Sequence, residues 1–144
     1  ALKISACCRS GDGFSSYRAL HQSRYNTPRP EATYAMQARW LDAGGALLVV
    51  AERGVDCVGA AYWITYKARA YYASGVYAGD NISHAIMWRS LLALKGLGVQ
   101  FASLGWQGRA TTDKERAIEF FKAGFGGRDV AVPIIETAYP LAKE

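Results

Sequence analysis

The sequence predicts one α/β (α+β) domain over residues 1–144, with a mixed central sheet and helices on both of its faces. Three observations predict it. Strand-like and helix-like segments follow the order β-α-α-β-β-β-α-β-α-β, the three middle strands succeed one another through short turns, and the later strands alternate with helices. Short turns make neighbouring strands antiparallel and helical crossovers make them parallel, so the predicted sheet contains both kinds of pairing.

The first three segments are a strand and two helices. Leu2–Cys8 has the length and composition of a short strand, and Phe14–Gln22 reads as the first helix. The second helix covers Glu31–Asp42, because Pro30 suits its start and Gly44-Gly45 suits its end. Together these segments lead into the middle of the sheet.

Three consecutive strands then follow. They are predicted at Ala46–Glu52, Val55–Tyr66 and Arg69–Tyr77, with a hairpin signal at Arg53-Gly54. The third of them carries several tyrosines, which suit a pleated and half-buried surface. Because side chains alternate along a strand, we expect Tyr71 and Tyr77 on one face of the sheet and Tyr72 on the other.

A helix is predicted next, from Ser83, which can cap its N-terminus, to about Lys95. Apolar residues at helical spacing predict its buried face. This face consists of Met87, Leu91 and Leu94 in one stripe, with Trp88 and Leu92 beside them.

The last third contains a strand, a helix and a final strand. The first strand is Val99–Leu104, and the helix opens at Thr112, whose spacing to Glu115 is that of a capping box, and stops near Gly124. Valine and isoleucine alternate over Val130–Ile134, where a proline indicates an edge strand.

Composition and charge narrow the classes of function. The net charge of +5, from 17 basic and 12 acidic residues, favours a phosphate-bearing partner such as coenzyme A, a nucleotide sugar or the acceptor end of a tRNA. No basic run of the kind that binds duplex DNA occurs, and no apolar run has the length of a membrane span. Three cysteines without metal-ligand spacing predict reduced thiols, a cytoplasmic location and no metal site.

The segment from Thr112 to Gly127 carries a resemblance to a known family. Its letters TDKERAIEFFKAGFGG resemble the Phe-Lys-x-Gly-Phe-Gly signature of the FemAB/FemX-like branch of the GNAT (Gcn5-related N-acetyltransferase) fold. Ala70–Gly75, the helix that bears Trp88, and Ser103-Leu104-Gly105 also look like that branch. The resemblance extends from about Phe14 onward. It implies a GNAT-type sheet and a bacterial-type acyltransferase or aminoacyltransferase, present as one module where typical FemAB-like transferases have two.

The same resemblance implies where an acyl donor binds. Members that use acetyl-CoA have an Arg/Gln-x-x-Gly-x-Gly/Ala loop before the central helix, and its backbone N–H groups hold the pyrophosphate. Here that loop reads Asn81-Ile82-Ser83-His84-Ala85-Ile86, with His84 in place of the central glycine and Ile86 in place of the final small residue. A helix start still offers N–H donors to an anion, so Asn81, Ser83 and His84 are candidate donor-binding residues.

The resemblance also supplies the candidate catalytic residue, Lys122, which matches the lysine that lies near the aminoacyl end of the donor in FemX-like proteins. The alternative is a solvated lysine near the end of a helix, where positive charge is favourable. Phe121 and Phe125 are predicted to wall the donor, or else to pack in the core. Gly124 either lets the backbone approach the donor or only ends the helix.

Tyr72 is a candidate for the acceptor cleft, with ordinary packing on the sheet as the alternative. The sequence contains no residue that stands out as a general base: Asp80, Asp113, His84 and Glu136 are candidates by residue type. The isolated arginines Arg29, Arg69 and Arg109 could each contact a phosphate, but a solvated surface position is favoured for all three.

The leading functional hypothesis is therefore transfer of an acyl or aminoacyl group to an amine, in a FemAB-like enzyme. An acetyl-CoA-dependent N-acetyltransferase is the alternative. A hypothesis of another class is a non-catalytic GNAT-fold binding module, or half of a two-domain transferase. Pairing of two chains through the edge strand Val130–Ile134 would give a homodimer with two modules.

Overall fold

A computed structural model describes residues 1–25, 29–79, 81–105 and 110–131. The chain divides into two compact units, Ala1–Trp106 and Gln107–Glu144, and each is described by itself. The prediction of a single domain over the whole chain is not tested by this division and stays a prediction.

Among the described residues, the first unit contains eight elements and the second contains one helix, in the order that the sequence predicts. They are β1 (Leu2–Cys7), α1 (Phe14–Arg24), α2 (Glu31–Asp42), β2 (Ala46–Arg53), β3 (Asp56–Tyr66), β4 (Arg69–Tyr77), α3 (Ile82–Gly96), β5 (Phe101–Ser103) and α4 (Asp113–Ala123). The predicted final strand, Val130–Ile134, extends into residues outside those that the structure describes.

The sheet is mixed, as predicted, and its five strands lie in the order β1-β2-β3-β4-β5. The first four strands pair in antiparallel fashion through successive connections. The chain then crosses over through α3 and returns as β5, which is parallel to β4. A helical crossover of this kind is what a parallel neighbour requires.

Helices cover both faces of the sheet, which also confirms the prediction. One face lies under α1 and α2. A single buried cluster joins these helices to the sheet, and it includes Tyr17, Tyr34, Leu48, Tyr62 and Val76. The other face lies under α3. Because β2 is central and covered on both sides, six consecutive residues from Ala46 to Ala51 are buried, a run typical of a strand with no solvent-exposed face.

The helix α3 approaches the sheet closely over one glycine. A β-carbon at Gly59 of β3 would lie 2.6 Å from Ile86 Cδ1 and 3.0 Å from Ile82 Cγ2, both on α3. Glycine at this position therefore lets the two isoleucines pack directly on the backbone of β3. Both isoleucines are buried, and they fix the start of α3 against the middle of the sheet.

The buried face of α3 differs in part from the prediction. Met87 and Leu94 are buried, but Trp88 is 57% exposed and Leu92 is 43% exposed. Ile82, Ile86 and Ser90 complete the buried stripe. The predicted stripe was rotated because it was centred on the largest apolar side chains. Ser90 is tolerated inside because its hydroxyl donates to the Ile86 carbonyl oxygen at 2.8 Å.

Candidate functional site

The strand β4 contains a bulge that changes which side chains share a face. Along β3, Tyr62 pairs with Ser74 and the next residue, Trp63, pairs with Tyr72, so that Ala73 is an extra residue on β4. A bulge of this kind reverses the alternation beyond it and bends the strand. The prediction that Tyr71 and Tyr77 share a face was therefore wrong.

The bulge brings two tyrosine hydroxyls together on the α3 face. Tyr72 Oη and Tyr77 Oη lie 2.6 Å apart in a hydrogen bond. Gly75 lies between them in the strand, and a β-carbon there would be 1.7 Å from Tyr72 Oη and 2.6 Å from Tyr77 Oη. Glycine at this position therefore makes the room in which the pair forms.

Burial keeps both hydroxyls of this pair protonated, so neither acts as a base. It raises the pKa of both hydroxyls above the ordinary value of a tyrosine, and at Tyr77 the Tyr72 hydroxyl adds to the increase. Both groups are neutral at pH 7. A neutral hydroxyl at this place can donate a hydrogen bond to a group that gains negative charge.

Next to the pair lies a buried donor without a hydrogen-bond partner. The Trp63 ring packs 5.2 Å from the Tyr72 ring and is fully buried. Its Nε1–H has no acceptor within the described part of the chain. A buried N–H group left unpaired costs about 1–3 kcal/mol, so an acceptor supplied by a ligand would stabilise it.

One edge of β4 is open where the bulge ends. The parallel pairing with β5 covers only Arg69–Tyr71, and no described strand pairs with that edge from Tyr72 onward. The Gly75 carbonyl points to this edge, because it accepts a hydrogen bond from Tyr25 Oη at 3.0 Å. In an antiparallel strand the N–H of the same residue points the same way, so the Gly75 N–H also faces the gap.

The open edge of β4 leads to the start of α3. The helix begins at Ile82, and its N-cap is Asn81, which has φ 63° and makes no capping hydrogen bond through its side chain. The prediction that Ser83 caps the helix was therefore wrong, because Ser83 is already its second residue. No acidic residue occupies the first turn, which favours an anion at this end of the helix.

The three candidate donor-binding residues at this end have different exposures. Asn81 and His84 are exposed and Ser83 is half-buried. Ile86, which replaces a small residue of the acetyl-CoA pattern, is turned into the sheet over Gly59 and does not face solvent. Of the two departures from that pattern, only the one at His84 lies on the exposed side of the helix.

On the opposite face of β4, a buried polar cluster surrounds Ser74, the residue that follows the bulge. Ser74 Oγ accepts hydrogen bonds from Tyr17 Oη at 3.2 Å and from Arg29 Nη2 at 3.1 Å. Gln37 Nε2 donates to Tyr17 Oη at 3.4 Å, and Tyr62 Oη donates to the Gln37 carbonyl oxygen at 2.7 Å. Arg29 is half-buried in this cluster, so its interpretation as a solvated surface residue was wrong.

His21 lies beside this cluster and is also buried. Its Nδ1 hydrogen-bonds with Tyr34 Oη at 3.0 Å. Burial, and then the charge of Arg29, hold the pKa of His21 below its ordinary value of 6.5. His21 is therefore neutral at pH 7 and serves as a hydrogen-bonding core residue.

In the second unit, the helix α4 begins as predicted. Thr112 Oγ1 accepts from the Glu115 backbone N–H at 3.2 Å, and Glu115 Oε2 accepts from the Thr112 backbone N–H at 3.0 Å. These bonds complete the capping box. Together with the bonds from Thr111, they hold the pKa of the Glu115 carboxyl at about 2.

The FemX-like segment forms the end of α4. The rings of Phe121 and Phe125 meet edge to face with centroids 5.2 Å apart. Lys122 lies between them in the last turn, half-buried, and burial lowers the pKa of its ammonium group. Gly124 has φ −60°, a conformation open to any residue, whereas the positive φ in this turn occurs at Gly126.

The candidate residues of the sequence thus divide between the two units. Tyr72, Asn81, Ser83 and His84 belong to the first unit, and Phe121, Lys122, Gly124 and Phe125 belong to the second. Of the candidate bases, Asp80 and Glu136 lie outside the described residues. Sequence reasoning did not find Trp63, the contact between Tyr72 and Tyr77 or the contact of Arg29 with Ser74.

Other kinds of site have little support. Among the described residues, no three His, Cys, Asp or Glu side chains cluster in a way that could hold a metal ion. In that same part of the chain, no helix is both long and apolar enough to cross a membrane. Burial raises the pKa of the Cys7 thiol to about 11, which leaves it protonated and a poor nucleophile. A cleft of about 210 Å³ between β1, β2 and α3 lies at the other end of the sheet from β5.

No protein-family model and no curated protein matches this sequence. Solved structures match it in fold. The ribosomal-protein-S18-alanine N-acetyltransferase from Escherichia coli gives a TM-score of 0.63 at 15% identity, over 83% of this chain and 75% of that chain. The aminoglycoside acetyltransferase AAC(6')-Iy, in complex with a bisubstrate analogue of CoA and acetylneamine, gives a TM-score of 0.71 at 9% identity, over 96% of this chain and 99% of that chain.

A third match is an aminoglycoside acetyltransferase from an uncultured soil metagenomic sample, in complex with sisomicin. It gives a TM-score of 0.69 at 14% identity, over 96% of this chain and 97% of that chain. Identities this low establish the fold alone. The chain therefore has the GNAT fold that its sequence predicts.

Proposed function

We propose that this chain is an acyltransferase that moves an acyl group from an activated donor to an amine. The observation that carries this proposal is the open edge of β4 after its bulge. That edge presents the Gly75 backbone N–H beside the Tyr72–Tyr77 hydroxyl pair, and it ends at an α3 helix start without a side-chain cap.

Each of these groups matches one requirement of acyl transfer. When an amine attacks the acyl carbonyl, negative charge develops on the carbonyl oxygen, and a fixed backbone N–H group stabilises it. The leaving thiolate or ribose oxygen also gains negative charge, which a hydrogen bond from a neutral tyrosine hydroxyl stabilises. The first turn of α3 favours a phosphate of the donor.

Two donors are consistent with this arrangement. Acyl-coenzyme A is supported by the fold neighbour AAC(6')-Iy, which was solved with CoA and with a CoA-containing bisubstrate analogue. The present chain covers 99% of the length of that protein, so a lone module is compatible with acetyl transfer. His84 at the position of the glycine in the family pattern is the feature that weighs against it.

An aminoacyl-tRNA donor is the finer, FemAB-like hypothesis. It is supported by the Phe-Lys-x-Gly-Phe-Gly segment and by the half-buried Lys122 within it. On this hypothesis Lys122 faces the charge that develops on the aminoacyl carbonyl. Lys122→Ala should then lower turnover at least tenfold more than it weakens donor binding, and unchanged turnover would remove Lys122 from the mechanism.

A thermal-unfolding screen tests the proposal as a whole. The chain is heated alone and with millimolar acetyl-CoA, coenzyme A, a nucleotide sugar or a charged minihelix RNA. A ligand that binds only the folded chain at 100 times its Kd should raise the Tm by about 5–10 °C.

The identity of the stabilising ligand separates the two donors. Acetyl-CoA alone would favour N-acetyl transfer, and the charged minihelix alone would favour the FemAB-like reaction. A chain that responds to none of them would contradict the transferase and would support a binding module or one half of a two-domain enzyme.

A further inference from the structure

Arg29 is a half-buried cation, and within the described part of the chain its guanidinium group donates to a hydroxyl. Its Nη2 donates to Ser74 Oγ at 3.1 Å. The nearest carboxylate in the sequence, Glu31, is instead bound to Arg18 at 2.8 Å. No described carboxylate lies within ion-pair distance of Arg29.

The polar side chains next to Arg29 are buried and hydrogen-bonded to one another. Ser74 and Gln37 are 6% and 4% exposed, and Tyr17 is fully buried. Their hydrogen bonds tie α1 and α2 to the residue that follows the bulge of β4. A guanidinium group held on such a base presents its other N–H donors in a fixed plane.

The charge of Arg29 contributes to the pKa values of two neighbouring side chains. It lowers the pKa of both His21 and Tyr34, although burial raises that of Tyr34 overall. A half-buried charge without a partner is unfavourable, and proteins keep one where a ligand supplies the partner. Carboxylate and phosphate groups fit the planar donor set of arginine best.

We infer that Arg29, held by Ser74, is a subsite for an anionic group, carboxylate or phosphate, on the amine that accepts the acyl group. The subsite lies on the α1/α2 face of β4, whereas the tyrosine pair and the start of α3 lie on the other face. An anion bound here is therefore separated from the groups proposed to hold the donor. Assigning the anion to the acceptor rests on the proposed acyl transfer; the binding of an anion at Arg29 does not.

The first experiment needs no enzymatic activity. Thermal unfolding is followed in sodium chloride, sodium acetate and sodium phosphate at equal ionic strength, with the wild-type chain, Arg29→Gln and Arg24→Gln. The control Arg24 is an exposed arginine at the end of α1 and takes no part in the cluster. If acetate or phosphate binds with a Kd of about 10 mM, 50 mM anion should raise the wild-type Tm by about 2–4 °C.

We expect Arg24→Gln to keep this rise and Arg29→Gln to lose it. A rise with acetate alone would identify a carboxylate, and a rise with phosphate alone would identify a phosphate group. A rise that Arg29→Gln retains in full would place the anion elsewhere and overturn the inference, as would no rise in the wild-type chain. Should Arg29→Gln fail to fold, Arg29→Lys keeps the charge, and it should lose half of the rise or more because it lacks the planar fork.

The second experiment assigns the anion to the acceptor. Glycylglycine is compared with its amide, and phosphoethanolamine with ethanolamine, as acceptors for the acyl donor that the thermal-unfolding screen identifies. In one of the two pairs, the wild-type chain should use the acceptor that carries the anionic group with a kcat/KM about 30-fold or more above that of the acceptor without it. Arg29→Gln should reduce this ratio to about threefold or less through a raised KM. Equal use of both members of each pair would show that the anion at Arg29 is not part of the acceptor. If no transfer is seen with any donor, the transferase proposal fails while the anion titration still decides the subsite.

Discussion

The two faces of β4 around its bulge differ in the chemistry that they hold. On the α1/α2 face, Ser74 is the centre of a buried hydrogen-bonded cluster that carries the charge of Arg29. On the α3 face, Tyr72 and Tyr77 are neutral hydroxyls with raised pKa values, and Trp63 has a donor without a partner. The bulged part of β4 thus has a fixed positive charge beside one face and uncharged hydrogen-bond donors on the other.

This difference indicates how one strand can serve two substrates. A fixed cation orients an anionic group before reaction, because its charge does not change during the chemical step. Neutral donors act best where charge develops only in the transition state. The one-residue bulge separates the two functions, because it decides which of the side chains of β4 faces which helix layer.

The largest expected effect comes from closing the space in which the hydroxyl pair forms. In Gly75→Ala, the new β-carbon would overlap the hydroxyl of Tyr72 and crowd that of Tyr77. Overpacking at such a site costs about 1–3 kcal/mol of unfolding free energy, and it should abolish the Tm rise with the acyl donor. Urea unfolding and the donor titration measure the two effects.

The matched control is Gly96→Ala at the end of α3, where a β-carbon would meet no atom within 4 Å. It should be neutral or stabilising by up to about 1 kcal/mol, because alanine favours the helix. If Gly75→Ala were as harmless as this control, the tyrosine pair would have no role in the donor site.

A smaller effect is expected from removing one hydroxyl of the pair. Tyr72→Phe and Tyr77→Phe should each lower the unfolding free energy by about 1 kcal/mol, and the double variant by less than the sum of the two. The coupling of about 0.5–1.5 kcal/mol in a double-mutant cycle measures the bond. Strictly additive losses would mean that the two hydroxyls do not interact in solution.

The smallest expected effect concerns the charge on the other face. Since burial and Arg29 lower the pKa of His21, its neutral form stabilises the fold above pH 6.5, and this stabilisation is lost as the pH falls from 6.5 through the folded-state pKa. Arg29→Gln should raise the pKa of His21 towards 6.5 without reaching it, because burial remains. Titration of the His21 ring by NMR checks this, and an unchanged pKa would mean that the Arg29 charge does not reach the α1/α2 face.

The fold could be predicted closely because it depends on local signals. The capping box at Thr112 and the apolar run of β2 mark their elements directly, and every described helix and strand lies near its predicted position. The bulge at Ala73 could not be predicted, because it arises from the way β3 and β4 pair, and neither strand alone carries a sequence signal for it. The faces of Tyr72 and Tyr77 depend on it.

Two further site features depend on distant parts of the chain. Arg29 looked isolated because its partner Ser74 is 45 residues away. The N-cap of α3 was predicted two residues late, at Ser83 instead of Asn81, because serine is a good cap in general, whereas the close packing of Ile82 over Gly59 begins the helix earlier. The role of Lys122, by contrast, comes from resemblance and stays a prediction.

Hydrogen exchange at the open edge of β4 tests the central claim most directly. The Gly75 amide faces the gap beyond β5, so an acyl donor bound there should slow its exchange by about tenfold or more at saturation. The account predicts this slowing for the donor that raises the Tm, together with slower exchange in the first turn of α3. A donor that raises the Tm while leaving the Gly75 amide unchanged would contradict it, because the donor would then bind away from the bulge.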